Sequence, residues 1–357
     1  MTTVVFGSCM NHADLRGQTA WKEAAVHSPD WLLLGGDNVY MDFGPFLGSP
    51  KLWPPMKFAE EMLDRYRKQF EVNHFRKLVK SIPAGQVIGT WDDHDFGWNN
   101  CHGARPDYDM PTKRLIARAL FHHYFNALNT RPLPEKLPAI DLASLATSPD
   151  ASVDIYRALD IGPLRVLICD GRFYRERATA EGQALSLLGP VQEQWLLDEI
   201  GRATKPLLIV SGSTMTDAEN QSWDSFKGFY RRFLTAVGQK VVVFVGGDIH
   251  RNRLSQPSGT RLTEIVSSGV LVFPVSRRYG VLEFDERELR AFLYRRTEIE
   301  FSGLVDLTTG KLRTKVVAEP EVALTEKRAR RQKSAAMSKL RPARAARSGK
   351  ARKPRGR

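Results

Sequence analysis

The sequence predicts an α/β fold with a largely parallel sheet. Apolar, β-branched runs of four to six residues recur along the chain, and the segments between several of them carry helical spacing. Almost every run is also followed at once by glycine and by a side chain able to bind something.

The first run, Val4-Val5-Phe6, leads into Gly7-Ser8-Cys9, and the second, Trp31 to Leu34, leads into Gly35-Gly36-Asp37-Asn38-Val39-Tyr40. Phe58 to Val79 has helical spacing, and Val87-Ile88 then leads into Trp91-Asp92-Asp93-His94-Asp95. Thr112 to Leu128 is again helical. Residues 130–153, rich in Pro, Ala and Ser, read as a long surface loop or excursion. Leu164 to Ile168 ends in Cys169-Asp170-Gly171-Arg172. Pro190 to Ile200 opens with proline in the first turn of a helix and reads Val191, Trp195, Leu196 and Ile200 on one face. Leu207 to Val210 is followed by Ser211-Gly212-Ser213-Thr214, and Val241 to Val245 by Gly246-Gly247-Asp248-Ile249-His250. Beyond Thr260 the pattern changes. Leu262 to Ser267, Val281 to Phe284, Leu289 to Tyr294 and Ile299 to Val305 read as an antiparallel meander, with a turn at Thr309-Gly310.

Composition narrows the class. At 357 residues the chain can bury a large core. No apolar run approaches the ~20 residues needed to cross a bilayer. The N-terminus lacks a basic region followed by an apolar stretch, which predicts an unexported, cytoplasmic protein or one trimmed of its leader. Three scattered cysteines, Cys9, Cys101 and Cys169, make no disulfide framework. The net charge of +13 is localised: from Thr325 onward there are 14 Lys or Arg and one Glu, so residues 1–324 hold 39 basic and 39 acidic side chains. The expected organisation is a globular body, 1–324, and a disordered Lys/Arg-rich tail, 325–357.

In a parallel sheet the carboxyl ends of the strands share one edge, where ligands bind. Six such ends here carry cysteine, aspartate, tyrosine and histidine. Taken singly, an aspartate after a strand is more often a turn former or helix cap. Cys9 alone would be a small buried hydrophobe, Tyr40 a core-edge aromatic and His250 a satisfied surface histidine. Co-occurrence at equivalent places after successive strands changes that reading. So many carboxylates at one rim would repel by several kcal/mol per close pair at low effective dielectric, and bound cations remove the problem. Gly-Gly before both Asp37 and Asp248 adds room for close backbone approach to whatever the carboxylate holds. His12, His27, His74, His122 and His123 have no such context.

The ordered set "FGSC", "GGDNVY", "WDDHD" with "NN", "DGRFYR", "LGPVQEQWL" and "GGDIH" resembles the PhoD-like alkaline phosphatases of the calcineurin-like metallophosphoesterase superfamily, over roughly residues 3 to 268. The resemblance implies a four-layer α/β/β/α sandwich with a multinuclear metal centre at the strand ends. It implies Cys9, Asp37, Tyr40, Asp93, Asp248 and His250 as metal ligands and His94 as the catalytic histidine. Asp92, Asn99, Asp170 and Asp224 are further candidate ligands or supporting groups, and Arg172 a phosphate contact. Where many superfamily members place a histidine ligand, after Val210, no histidine stands between His123 and His250; either Asp224 reaches the site or water fills that position.

Thiolate with phenolate suits Fe(3+), and an oxygen-only set suits Ca(2+) or another divalent ion. The expected reaction is hydrolysis of a phosphate mono- or diester by metal-activated water, with His94 protonating the leaving group. A second reading is a catalytically weak phosphate- or nucleic-acid-binding module tethered by its tail. Residues 326–357 read either as a solvated extension or as a polyelectrolyte arm with nonspecific attraction to nucleic acid or an anionic surface.

Overall fold

Two sheets take up the apolar runs. The computed structural model describes residues 1–11, 18–43, 48–103, 108–147, 153–176, 186–216, 221–271 and 277–315. The tail for which disorder is expected lies outside the described residues. Strands β1 (Thr2–Gly7), β2 (Trp31–Gly35) and β3 (Val87–Thr90) pair in parallel. Between and after them run α1 (Ala20–Ala24), α2 (Pro55–Glu71), α3 (Asn73–Ser81), the single turn α4 (Asp93–Phe96), α5 (Met110–Asn129) and α6 (Leu142–Thr147).

The second sheet opens with the hairpin of β4 (Arg157–Ile161) and β5 (Leu164–Ile168). It continues as parallel strands β6 (Leu207–Val210) and β7 (Val242–Gly246), reached through α7 (Gly189–Arg202) and α8 (Lys227–Val237). Strand β8 (Asn252–Ser255) turns back antiparallel onto β9 (Leu262–Ser267), which lies parallel to β7. Then β10 (Arg278–Phe284), β11 (Glu288–Arg295), β12 (Glu298–Asp306) and β13 (Leu312–Lys315) form a meander that rejoins the first sheet, β10 antiparallel to β1. The strand orders are β13-β12-β11-β10-β1-β2-β3 and β4-β5-β6-β7-β9-β8. The meander therefore begins one strand later than the sequence suggests, since Leu262–Ser267 belongs to the other sheet.

Three apolar layers make the four-layer sandwich. Val4, Phe6, Leu33 and Ile88 of the first sheet meet Val166, Ile168, Leu208, Val210, Val243 and Val245 of the second. On the outer face of the first sheet, Val5, Leu32 and Leu34 pack with side chains of α1, α2, α3 and α5. On the outer face of the second, Leu167, Ile209, Val242 and Phe244 pack with Leu196, Phe229 and Phe233. Both faces of the central strands are thus buried, which is why they read as unbroken apolar runs rather than as alternation.

Three local expectations are corrected. The helical stretch 58–79 is two helices, broken at Val72, whose ψ of 116° leaves the helical region. In α7, Val191 is 74% exposed, and the inward face carries Gln192, Glu193, Leu196 and Ile200. The reason is Gln192: its amide accepts from the Asp170 N–H at 2.8 Å and donates to the Asp170 carbonyl at 2.9 Å, serving both backbone groups of a strand end. The segment 130–153 is not simply a surface loop; it contains α6 and buries Leu133, Leu137 and Leu145 against the helices of the first sheet, its residues 148–152 lying outside those described. Among the described residues no helix is long and apolar enough to cross a membrane.

Candidate metal centre

Glycine closes the two sheets together at their carboxyl edge. A Cβ on Gly247 would meet the Gly35 carbonyl oxygen at 2.4 Å and that of Gly212 at 2.6 Å; one on Gly36 would meet Asp92 Cβ at 2.8 Å and Gly212 Cα at 3.1 Å. The Gly247–Gly35 and Gly36–Gly212 approaches bring strand ends of opposite sheets together, and the Gly247–Gly212 and Gly36–Asp92 approaches bring together neighbouring strand ends of one sheet. Without side chains at these positions, the strand ends of the two sheets close on each other at this edge.

The side chains so gathered come from loops after β1, β2, β3 and β7. Cys9 (φ 60°), Asp37 (φ 50°), Asp248 (φ 70°) and His250 (φ 52°) all have left-handed backbone, a conformation that costs about 1 kcal/mol or more for each residue bearing a Cβ. The loops are tied to one another. The Cys9 N–H donates to the Gly36 carbonyl at 3.1 Å, the Met10 N–H to that of Asp37 at 2.9 Å, and the Gly247 N–H to that of Gly212 at 3.0 Å.

Three groups of donor atoms, each within 4.8 Å of one another, result: Cys9 with Asp37 and His250, Asp37 with Asp93 and His94, and Asp92 with Asp93 and Asp248. Asp37 and Asp93 each belong to two groups. The Cys9 thiol lies 3.3 Å from Asp37 Oδ2 and 3.2 Å from Ser268 Oγ. The Tyr40 hydroxyl donates to Asp37 Oδ2 at 3.2 Å and stands 3.4 Å from His250 Nε2. Tyr40 thus joins the first group.

Charge is held there at a cost. Burial pushes the Cys9 thiol up to about 11, although hydrogen bonding with Ser268 and Ser8 opposes it. Burial, then the Cys9 charge, raises Asp37 well above the carboxylate range, and burial with Asp37 raises Tyr40 likewise. Asp248 is pushed up to about 7 by burial and by the charges of Asp92 and Asp93. Burial raises Asp92 against the pull of Arg172. Asp93 alone is lowered: burial opposes its charge, but Arg172, His94 and the Asn100 N–H outweigh it. His94 behaves oppositely, because burial would lower it while Asp37, the hydrogen bond to Asp42 and Asp93 lift it to about 10. Without cations, the raised acids Cys9, Asp37, Tyr40 and Asp248 avoid buried charge by keeping protons. The buried oxygens Asp92 Oδ2 and Asp93 Oδ1 also have no hydrogen-bond partner. Acidic oxygens that are buried, unpaired and mutually repelling fit a multinuclear cation site.

The remaining expected residues divide. Asp92 stands in the third donor group, its Oδ1 accepting from Arg172 Nε at 2.5 Å. Asp170 and Asp224 fall in none of the three groups. Asp170 Oδ1 instead accepts from the Trp91 indole at 2.6 Å and from the backbone of Arg172 and Phe173, and Asp224 accepts from the Ser222 hydroxyl. Asn99 is exposed, its N–H donating to Asp42 Oδ2 at 2.8 Å. Arg172 is fully buried behind the acids, with Nη1 on Gln221 Oε1 at 2.9 Å and Nη2 3.7 Å from Asp93 Oδ1.

Sequence reasoning missed Asp42, Ser268, Arg175 and the residues that Arg175 holds. Asp42 Oδ1 lies 2.5 Å from His94 Nδ1. Ser268 Oγ contacts the Cys9 thiol and accepts from the His250 N–H at 3.0 Å. Buried Arg175 joins Gln221 and the Ser213 hydroxyl. Only Asp42 left a trace in the sequence, as a second acid in the loop that carries Asp37.

The chain matches the family model of PhoD-like phosphatase over residues 4–309. It is 25% identical over 280 residues to alkaline phosphatase D of Bacillus subtilis, covering 70% of this chain and 46% of that protein. The chain thus spans about half the length of that relative. Among solved structures, a dimetal phosphatase from Danio rerio superposes with a TM-score of 0.51 at 13% identity, covering 86% of this chain and 99% of that one; the likeness is one of fold.

Proposed function

We propose that this chain, which belongs to the PhoD-like phosphatase family, hydrolyses phosphate esters at a multinuclear metal centre held by Cys9, Asp37, Tyr40, Asp93, Asp248 and His250, with Asp92. The observation that carries the reading is the set of three donor groups that share Asp37 and Asp93. The names of the similar proteins, an alkaline phosphatase D and a dimetal phosphatase, favour the same chemistry.

The donor set is graded. Cys9, Tyr40, Asp37 and His250 offer sulfur, phenol, carboxylate and imidazole, which suits Fe(3+); Asp92, Asp93 and Asp248 offer oxygen alone, which suits Ca(2+) or another divalent ion. When bound, such cations polarise phosphoryl oxygens and activate water. The chain's own groups do the rest. Asp42 holds His94 by Nδ1, so Nε2 is left to deliver a proton. As the water oxygen bonds to phosphorus and gives up a proton to solvent, the bond to the leaving oxygen breaks with its electron pair; that oxygen takes the proton from His94 Nε2, and solvent returns one to His94. Arg172, expected as a phosphate contact, donates from Nε to Asp92 Oδ1, which supports a further role as the counter-charge that orients Asp92.

The test combines elemental analysis, absorption spectra and release of p-nitrophenol from mono- and bis-substituted phosphates. The expected protein contains iron and a second metal, hydrolyses at least one ester, and shows a visible charge-transfer band that a folded Tyr40→Phe variant lacks. A folded protein that is colourless, binds no metal and is inert towards both esters would overturn the proposal.

A further inference from the structure

We propose that Phe43 is a specificity-determining residue: a platform on which an aromatic leaving group lies while its phosphate ester is cleaved. The inference rests on the phosphatase reading above. A single exposed apolar side chain means little by itself, because folded proteins expose many. Position decides here. Phe43 is 46% exposed and directly follows Asp42, at the end of the stretch that begins with Asp37 and Tyr40. Among the described residues, other exposed large apolar side chains, such as Val26, Leu52 and Val191, lie on segments that carry no donor of the site.

Ring contacts link Phe43 to the proton donor. Its ring meets Tyr40 edge-on, with centroids 6.0 Å apart and planes at 76°, while the Tyr40 ring lies 4.3 Å from that of His94. Tyr40 is 1% exposed and packed in place, so it sets the spacing between the other two rings. His94 and Asp42 keep 14% and 21% of their side chains accessible, so the path from solvent to the proton donor passes this loop. A leaving oxygen at His94 Nε2 carries its substituent away from the donor groups and outward. The accessible apolar surface linked to His94 through Tyr40 is the Phe43 ring. An aromatic ring finds there the offset or edge-on partner that aromatic pairs favour, and a short alkyl group does not reach it.

The experiment compares phenyl phosphate with ethyl phosphate in wild type, Phe43→Ala and Phe43→Trp at matched metal content. The ratio of variant to wild type for each ester cancels its intrinsic reactivity. For Phe43→Ala, kcat/KM on phenyl phosphate is expected to fall about tenfold, mostly through KM, with ethyl phosphate unchanged and Phe43→Trp restoring the aryl ester. Equal losses on both esters, or no loss on either, would overturn the platform while leaving the phosphatase standing. Wild type inert on both monoesters overturns this inference, and the phosphatase reading falls with it only where the bis-substituted p-nitrophenyl ester is left intact as well.

Discussion

His94 is fixed at three points. Its ring Nδ1 lies against Asp42, its backbone N–H donates to Asp37 Oδ1 at 3.3 Å, and its carbonyl accepts from the Met41 N–H at 3.2 Å. A proton donor so held needs no reorientation when the leaving group departs, which is the advantage a positioned acid has over water. Removing the donor should therefore cost far more than loosening it. His94→Ala is expected to lower kcat by about 10²- to 10⁴-fold, and Asp42→Asn by about 10- to 100-fold with KM little changed. Steady-state kinetics on an aryl phosphate decides, and an Asp42→Asn enzyme at wild-type kcat would remove the orienting role. His94 was legible because it stands inside a dense acidic motif at a strand end. Asp42 was not, since it reaches the His94 ring through a turn after a different strand, and linear spacing carries no record of that meeting. Ser268, Arg175 and Gln221 are subject to the same blindness: an ordinary serine, arginine or glutamine acquires its role only from what the fold sets beside it.

Strands and helices were more readable where burial left a plain pattern. The runs that became β1, β2, β3, β5, β6 and β7 are apolar throughout because helices cover one face and the opposite sheet the other. The meander was readable by its alternation and its turn, where Gly310 takes a φ of 71°. Two helices were misread for reasons of packing. No proline or glycine marks the break at Val72, and a buried glutamine, counted as polar, turned the inward face of α7 away from Val191. The edge where the sheets meet places its own demand on the elements. Gly247 is needed because any side chain there would strike the carbonyls of Gly35 and Gly212 rather than the tip of a flexible group. Gly247→Ala should accordingly separate the strand ends, costing about 1–3 kcal/mol of stability and most of the bound metal. Denaturant unfolding with metal analysis checks both, and an alanine variant of unchanged stability and metal content would show that the edge tolerates the extra atom.

The whole sandwich can be regarded as a device for holding unfavourable charge at one edge. Its central layer is uniformly apolar, whereas its carboxyl rim collects four aspartates, a thiol and a phenol beside the buried arginines Arg172 and Arg175. The family and the fold were readable because the donors stand directly after the ends of four strands. The grouping into three sets that share Asp37 and Asp93 was not, because it depends on how two sheets close upon each other. Cations and protons compete for this rim, which fixes the sign of a pH effect. Carboxyls whose folded-state pKa is raised, Asp248 to about 7 and Asp37 also upward, favour the metal-free fold while protonated; that contribution is present below the unfolded pKa of about 4 and is lost as pH rises through about 7. Cation binding runs the other way, strengthening as the protons leave. Stripping the metals should therefore lower Tm, and restoring them at about a hundred times Kd should return roughly 2.7 kcal/mol. The difference in Tm between loaded and stripped protein should be largest near pH 8 and shrink towards pH 5, as protons take the cations' places. Calorimetry across that range on chelated and reconstituted protein measures it directly. A difference independent of pH would mean that the acidic rim does not release its protons to bind metal, and the charge-relief account of the site would fall.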